Sequence, residues 1–257
     1  MNQEKTIVVL GLGEVGRPLL QLLSEHYSVL GVDVEPPSHP VGRVDVMHVC
    51  FPFEIKDFIG ETARYIEMFR PELTVINSTV AVGATRAVFE RTGASLAHSP
   101  VRGKHIRMLD ELRRYVKYVG GIDVASSRHA ADHFQNGGMK TKILAGPEAT
   151  ELAKLCETTY FGVLIAWAQE VERYCDQTGQ SYEEVVSYFD EISFFPQTKY
   201  FPGVIGGHCV MPNIKILRKL SDSALLRAVE ASNEAKKARE TKANLEGDGV
   251  RATVSTD

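Results

Sequence analysis

Apolar and polar positions follow two rhythms along this chain, and the change falls near residue 147. Before it, short β-branched runs alternate with stretches whose apolar residues recur at helical spacing. "TIVVLGLG" reads as a buried strand entering a glycine turn, and "VGRPLLQLLSEH" as the helix that follows. "SVLGVDV" is a second strand, "PPSHPVGR" a proline-rich loop, and "VDVMHVCFPF" a third strand. "IKDFIGETARYIEMFRP" reads as a helix stopped by Pro71, "LTVINSTV" as a fourth strand, and "GATRAVFERTG" as a helix closed by Gly93. "ASLAHSPV" and "YVKYVGG" add two strands. This alternation predicts an α/β domain over residues 1–146, a Rossmann-type doubly wound, mostly parallel sheet.

Beyond it, one unbroken helical pattern runs from Pro147 to about Thr178 and closes on Gly179. Ser181, followed by acidic residues, reads as the N-cap of another helix. Helical runs follow near Asn213–Leu220 and Asp222–Glu240, so residues 147–240 are expected to form an all-α dimerisation domain. So short a domain leaves one face of its long helix, with Trp167, poorly covered, which predicts a homodimer. The polar, aperiodic end of the chain predicts a disordered tail over residues 241–257.

Composition narrows the function classes. The chain has 257 residues, 44% hydrophobic and 24% charged, with a net charge of -4. Neither nucleic acid nor a membrane is an expected partner, and no apolar run approaches a membrane span. The N-terminus lacks a signal-peptide layout. Cys50, Cys156, Cys175 and Cys209 are scattered without a CxxC pair, so the expectation is no metal site and a cytoplasmic protein. Cys50, Cys156 and Cys175 lie in apolar patterns and read as core.

"GLGEVG" sets Gly11, Gly13 and Gly16 between a strand and a helix, with Glu14 and Val15 in the turn. Glycines there permit a tight turn and close approach of backbone to a pyrophosphate, and the helix start supplies N–H groups to that anion. Asp33, at the end of the next strand, lies about 20 residues on, where a carboxylate accepts from a ribose diol and repels a 2′-phosphate. No arginine follows until Arg43. NAD is the expected cofactor. S-adenosylmethionine, which also uses glycine loops and an acidic strand end, is the alternative, and would make the chain a methyltransferase.

Several ordered motifs resemble the UDP-glucose/GDP-mannose dehydrogenase family over roughly residues 5–235. They are "GLGEVGRPLL", "NSTV" at Asn77–Val80, "ELAKLCETTY" at Glu151–Tyr160, "GGHC" ending at Cys209, and "AVEASN" ending at Asn233. The resemblance implies NAD and oxidation of an alcohol. It implies that Cys209 captures an aldehyde, that Lys154 stabilises developing oxyanions, and that Thr79, with Ser78, lies near the nicotinamide. The chain departs from the family at Thr158, where asparagine is usual, and at Asn213, where aspartate is usual. It departs again in "HSPVRGKH", where Val101 and Arg102 replace acidic residues, and it is expected to lack the family's C-terminal nucleotide-binding domain.

That loop follows a strand end at the carboxyl edge of the sheet, where open α/β folds bind ligands. His98, Arg102, Lys104 and His105 would there receive a phosphate or carboxylate, arginine by bidentate geometry. Thr158, His208 and Asn213 join them as expected substrate-binding positions. The expected function is NAD-dependent oxidation of an alcohol on a sugar-like or small anionic substrate. An NAD-binding sensor or scaffold without chemistry is the second alternative.

Overall fold

The computed structural model describes residues 6–33, 42–103, 105–189, 192, 200–207 and 209–252, apart from the side chains of His105 and residues 243–252. Two compact units divide after Lys154. The first contains β1 (Thr6–Leu10), α1 (Gly16–Leu23), β2 (Ser28–Val32), β3 (Val44–Val49), α2 (Phe58–Phe69), β4 (Leu73–Ile76), α3 (Ala84–Thr92) and β5 (Leu96–His98). A 3-10 turn at His105–Arg107 leads to α4 (Met108–Arg114), β6 (Lys117–Gly121), α5 (Val124–Asn136), β7 (Thr141–Ile143) and the start of α6 (Pro147–Thr178).

The strands form one sheet in the order β2-β1-β3-β4-β5-β6-β7. Its first five strands run parallel, β6 runs antiparallel to β5, and β7 parallels β6. Both faces are covered, as the near-continuous apolar strands require. In β1, Ile7 and Val9 pack towards Leu19, Leu22 and Leu23 of α1, whereas Val8 and Leu10 pack towards Phe58 and Tyr65 of α2. The chain leaves β1 for β2 on one side and returns to β3 on the other. The glycine turn after β1 therefore sits at the topological switch point, where such sheets bind ligands.

Local chemistry sets the helix ends. Asp57 caps α2 by accepting from Gly60 N–H at 2.8 Å, and Asp123 caps α5 by accepting from Ser126 N–H at 2.7 Å. Helix α3 closes on Gly93 in the left-handed region (φ 65°), as expected. Its start is capped from elsewhere: Glu151 of α6 accepts from Gly83 N–H at 2.7 Å, Thr85 N–H at 2.9 Å and the Thr85 hydroxyl at 2.6 Å. Burial pushes the Glu151 carboxyl up, against those three bonds.

The second unit contains α6 from Leu155, α7 (Tyr182–Ser187), α8 (Val210–Leu220) and α9 (Ala224–Ala252). Ser181 caps α7 as expected, accepting from Glu184 N–H at 3.4 Å. Ile205, Val210, Ile214, Leu226 and Val229 form its main core. The expected disordered tail is corrected in part: α9 continues to Ala252, and residues 253–257 lie outside the described residues. Alanine, lysine, glutamate and arginine favour helix without an apolar stripe, and pairs such as Lys237–Glu234 and Lys236–Glu240 support it.

Candidate functional site

The glycine turn has the geometry of an anion cradle. Gly11 has φ 83°, and a Cβ there would lie 2.8 Å from Phe51 N. A Cβ on Gly16 would lie 1.8 Å from Gly11 O, so the start of α1 packs directly on the turn. Gly13 differs: a Cβ there would meet nothing within 4 Å. Two glycines are thus demanded by the fold, and the third leaves backbone bare towards open space. Helix α1 has no side-chain cap at Val15 and no acidic residue in its first turn; Arg17 N–H donates to Gly13 O, Leu19 N–H to Val15 O, and Pro18 has no N–H, so an anion there would meet the Gly16 N–H and the positive end of the helix dipole. Glu14 lies exposed in the turn, and Asp33, exposed at the end of β2, has Oδ1 3.5 Å from Leu12 N. Arg43 is engaged in an ion pair with Glu72. These residues fit a dinucleotide: a bare turn and uncapped helix start for the pyrophosphate, a carboxylate for the ribose.

The ends of β4 and β5 extend this edge. Ser78 donates to Phe51 O at 2.6 Å, tying the loop after β4 to the loop after β3, and Thr79 beside it is partly exposed. Lys154, partly buried on α6, lies near enough for its charge to bear on His98 and Lys117.

His98 is corrected as a member of a basic substrate loop. It is 0% exposed, with Nε2 3.1 Å from Ser78 O and Nδ1 2.7 Å from Thr150 Oγ1. A carbonyl only accepts, so Nε2 carries the proton and Nδ1 accepts from Thr150. The imidazole is neutral: burial pushes it down to about 3, opposed by its bond to Ser78 O and reinforced by Lys117 and Lys154. Arg102 is partly exposed, its guanidinium 5.5 Å from the Tyr115 ring centroid and 5.6 Å from that of Tyr118. Lys104 and His208 lie outside the described residues, as does the side chain of His105.

An acid-stability prediction follows from His98. Unfolded histidine titrates near 6.5, so between that value and about 3 the unfolded chain binds a proton that folded His98 does not. Stability should therefore fall as pH drops through this window. Urea unfolding of His98→Gln should show a shallower decline than the wild type, and identical slopes would refute the neutral assignment.

In the second unit Cys209 occupies the N-cap of α8 without a side-chain cap bond. Its carbonyl accepts from Asn213 N–H at 3.2 Å, closing the first turn of that helix. Asn233, 0% exposed, holds the approach to it: Ile205 N–H donates to Asn233 Oδ1 at 2.7 Å, and Asn233 Nδ2 donates back to Ile205 O at 3.0 Å. Gln169 Nε2 adds a bond to Gly203 O at 2.8 Å. The two departures from the family pattern meet: Asn213 Nδ2 donates to Thr158 Oγ1 at 3.0 Å. Of the other cysteines, Cys175 is buried as expected, but Cys156 is exposed on α6 and is corrected as a core residue.

Sequence reasoning missed a buried polar chain in the first unit. Lys117 Nζ donates to Ser99 O at 2.5 Å, Asn77 Oδ1 at 3.1 Å and Pro100 O at 3.3 Å. With its oxygen so used, Asn77 presents Nδ2 to His48 Nδ1 at 3.0 Å, and His48 Nε2 lies 2.9 Å from His133 Nε2. Each donor hands on to the next acceptor, and burial, then His133 and Lys117, hold His48 well below its usual range. The signal was present: Lys117 stands two residues before the buried Val119, on the inward side of an alternating strand.

The chain is an α/β protein of the Rossmann type, with a bare glycine turn at the ligand-binding edge of its sheet. Residues 148–235 match the model of the UDP-glucose/GDP-mannose dehydrogenase family, central domain. The chain is 24% identical to the UDP-N-acetyl-D-mannosamine dehydrogenase of Methanococcus maripaludis, over 90% of this chain and 65% of that protein. It is also 24% identical to an NDP-N-acetyl-D-galactosaminuronic acid dehydrogenase of Ralstonia nicotianae, over 90% of this chain and 69% of that protein. The chain thus spans about 65% of the length of the relatives it matches first. Among solved structures, the UDP-D-ManNAc dehydrogenase of Pyrococcus horikoshii has a TM-score of 0.80 at 20% identity, covering 94% of this chain and 71% of that one. A 3-hydroxyisobutyrate dehydrogenase of Mycobacterium tuberculosis has a TM-score of 0.70 at 19% identity, covering 90% of this chain and 94% of that one. Likeness at this identity establishes the fold.

Proposed function

We propose that the protein is an NAD-dependent dehydrogenase that oxidises a hydroxyl of a sugar-like, anionic substrate. The observation that carries the reading is the turn after β1, bare at Gly13 and closed at Gly11 and Gly16, with Asp33 beside it. Nucleotide-sugar dehydrogenases among the relatives support the substrate class. NAD bound at the turn would accept hydride from the substrate carbon. Gly11, Gly13, Glu14, Val15 and Gly16 would surround the pyrophosphate, Asp33 would hold the ribose, and Ser78 and Thr79 would border the nicotinamide. Lys154 would stabilise the substrate oxygen as negative charge develops on it. The Cys209 thiolate would add to the aldehyde carbon, the carbonyl pair moving to oxygen as an alkoxide. With a second NAD as acceptor, the thiohemiacetal carbon would give up hydride and its oxygen would re-form the carbonyl of a thioester; water would then add to that carbon and expel the Cys209 thiolate, leaving the carboxylic acid. Arg102, with Lys104 and His105, would meet an anionic group of the substrate; Thr158, His208 and Asn213 are assigned to substrate binding by the family resemblance alone.

We place the protein in the cytoplasm on its four scattered cysteines, which form no CxxC pair. We also infer a homodimer built on α6. Tyr160, Trp167 and Tyr174, 57%, 55% and 50% exposed, are spaced seven residues apart and so share one face of that helix. Light scattering at micromolar concentration should give twice the chain mass, and Trp167→Glu should halve it. A monomeric wild type would refute the dimer. Dehydrogenase activity itself is tested by NADH fluorescence with a panel of UDP-sugars and sugar phosphates. No NADH from any of them would count against it.

A further inference from the structure

We propose that Lys117 is a positioning residue whose ammonium ties the loop after β4 to the loop after β5, holding Thr79 and Arg102 in register. The proposal rests on the reading that these loops serve cofactor and substrate. Its geometry is independent of that reading. Lys117 is 4% exposed, and its three acceptors belong to two different strand ends. Asn77 immediately precedes Ser78 and Thr79. Ser99 and Pro100 immediately precede Val101 and Arg102. Three donors on one nitrogen therefore couple both loops through a single side chain.

The tie is sensitive to its proton. Among the described residues no carboxylate pairs with Lys117; the aromatic face of Phe134 lies 5.0 Å away. The titratable groups around it are Cys50 after β3, His48 on β3, His133 on α5, His98 on β5 and Lys154 on α6. Burial pushes the ammonium down to about 7, opposed by Cys50 and reinforced by Lys154. A neutral amine keeps two hydrogens for three oxygens and loses the charge that strengthens each bond. At least one of the three bonds is then lost, and the tie between the two loops weakens.

The test follows backbone amide resonances of Thr79 and Arg102 in the wild type and in Lys117→Met, from about pH 6 to about pH 8.5. The expected result is a shared titration of both amides with a midpoint of about 7 that is absent in Lys117→Met. Amides that do not titrate, or that titrate equally in the variant, overturn the proposal. Should Lys117→Met fail to fold, the wild-type Lys117 Cε resonance decides: it must titrate with the two amides, and a midpoint near the ordinary lysine value overturns the tie. NAD titration supplies the functional arm, with affinity expected to weaken roughly tenfold above the midpoint. Absence of NAD binding at every pH, with the amides still titrating through Lys117, would remove the cofactor reading and leave the tie standing. Unchanged NAD affinity across the range would show that the tie does not position the cofactor loop and would overturn the proposal.

Discussion

Replacing Cys209 by serine is expected to lower turnover roughly a thousandfold or more while leaving NAD affinity unchanged. The substitution separates chemistry from folding. Cys209 sits at the N-cap of α8, and serine is among the favoured residues there, so stability should hold or rise slightly. The hydroxyl is nearly isosteric but does not ionise near neutral pH, so it cannot replace a thiolate as nucleophile. Two NADH should form per substrate in the wild type. In the variant any residual reaction should stop at the aldehyde, with at most one. Stopped-flow fluorescence with a carbonyl trap would measure both. Wild-type turnover in Cys209→Ser would show that the cysteine is only a cap.

Gly13→Ala and Gly16→Ala should fail in opposite ways. The Gly16 methyl would be forced against Gly11 O at 1.8 Å, backbone against backbone. No rotamer can relieve that contact, so the turn or the start of α1 must move, at a cost of about 3 kcal/mol or more. Gly13 has open space at the same position and no left-handed φ, so its alanine variant should fold with nearly wild-type stability. The methyl would instead stand where a pyrophosphate must approach, and NAD affinity should fall by more than roughly tenfold. Urea unfolding and NAD titration of both variants would reveal the split. If Gly13→Ala bound NAD normally, the turn would be a structural feature alone.

Much of the fold could be read from local pattern. The five parallel strands have apolar runs on both faces, and the stops at Gly93 and Gly179 are left-handed glycines that the chain needs at those points. Helices α4 and α5 and strand β7 were not legible. Helix α5 packs Ser126, Ser127 and His133 against the sheet as well as Ala130 and Phe134, so its apolar period is diluted by buried polar groups. The site was legible where one segment makes it, as at Gly11–Gly16, and obscure where distant segments meet. His98 reads as a charge in a basic loop until Thr150, some fifty residues away, is seen to fix its tautomer. Lys117 and Asn233 escaped for the same reason: their acceptors and donors lie on other strands and loops.

NAD binding at the β1 turn, selected by Asp33, is most directly measured by isothermal titration of NAD, NADP and S-adenosylmethionine against the wild type and Asp33→Ala. The wild type should bind NAD, bind NADP roughly tenfold or more weakly, and leave S-adenosylmethionine unbound, because a carboxylate at the strand end favours a ribose diol over a 2′-phosphate. Asp33→Ala should bring the NAD and NADP affinities together. Equal wild-type affinities for the two, or S-adenosylmethionine bound in place of both, would contradict the assignment.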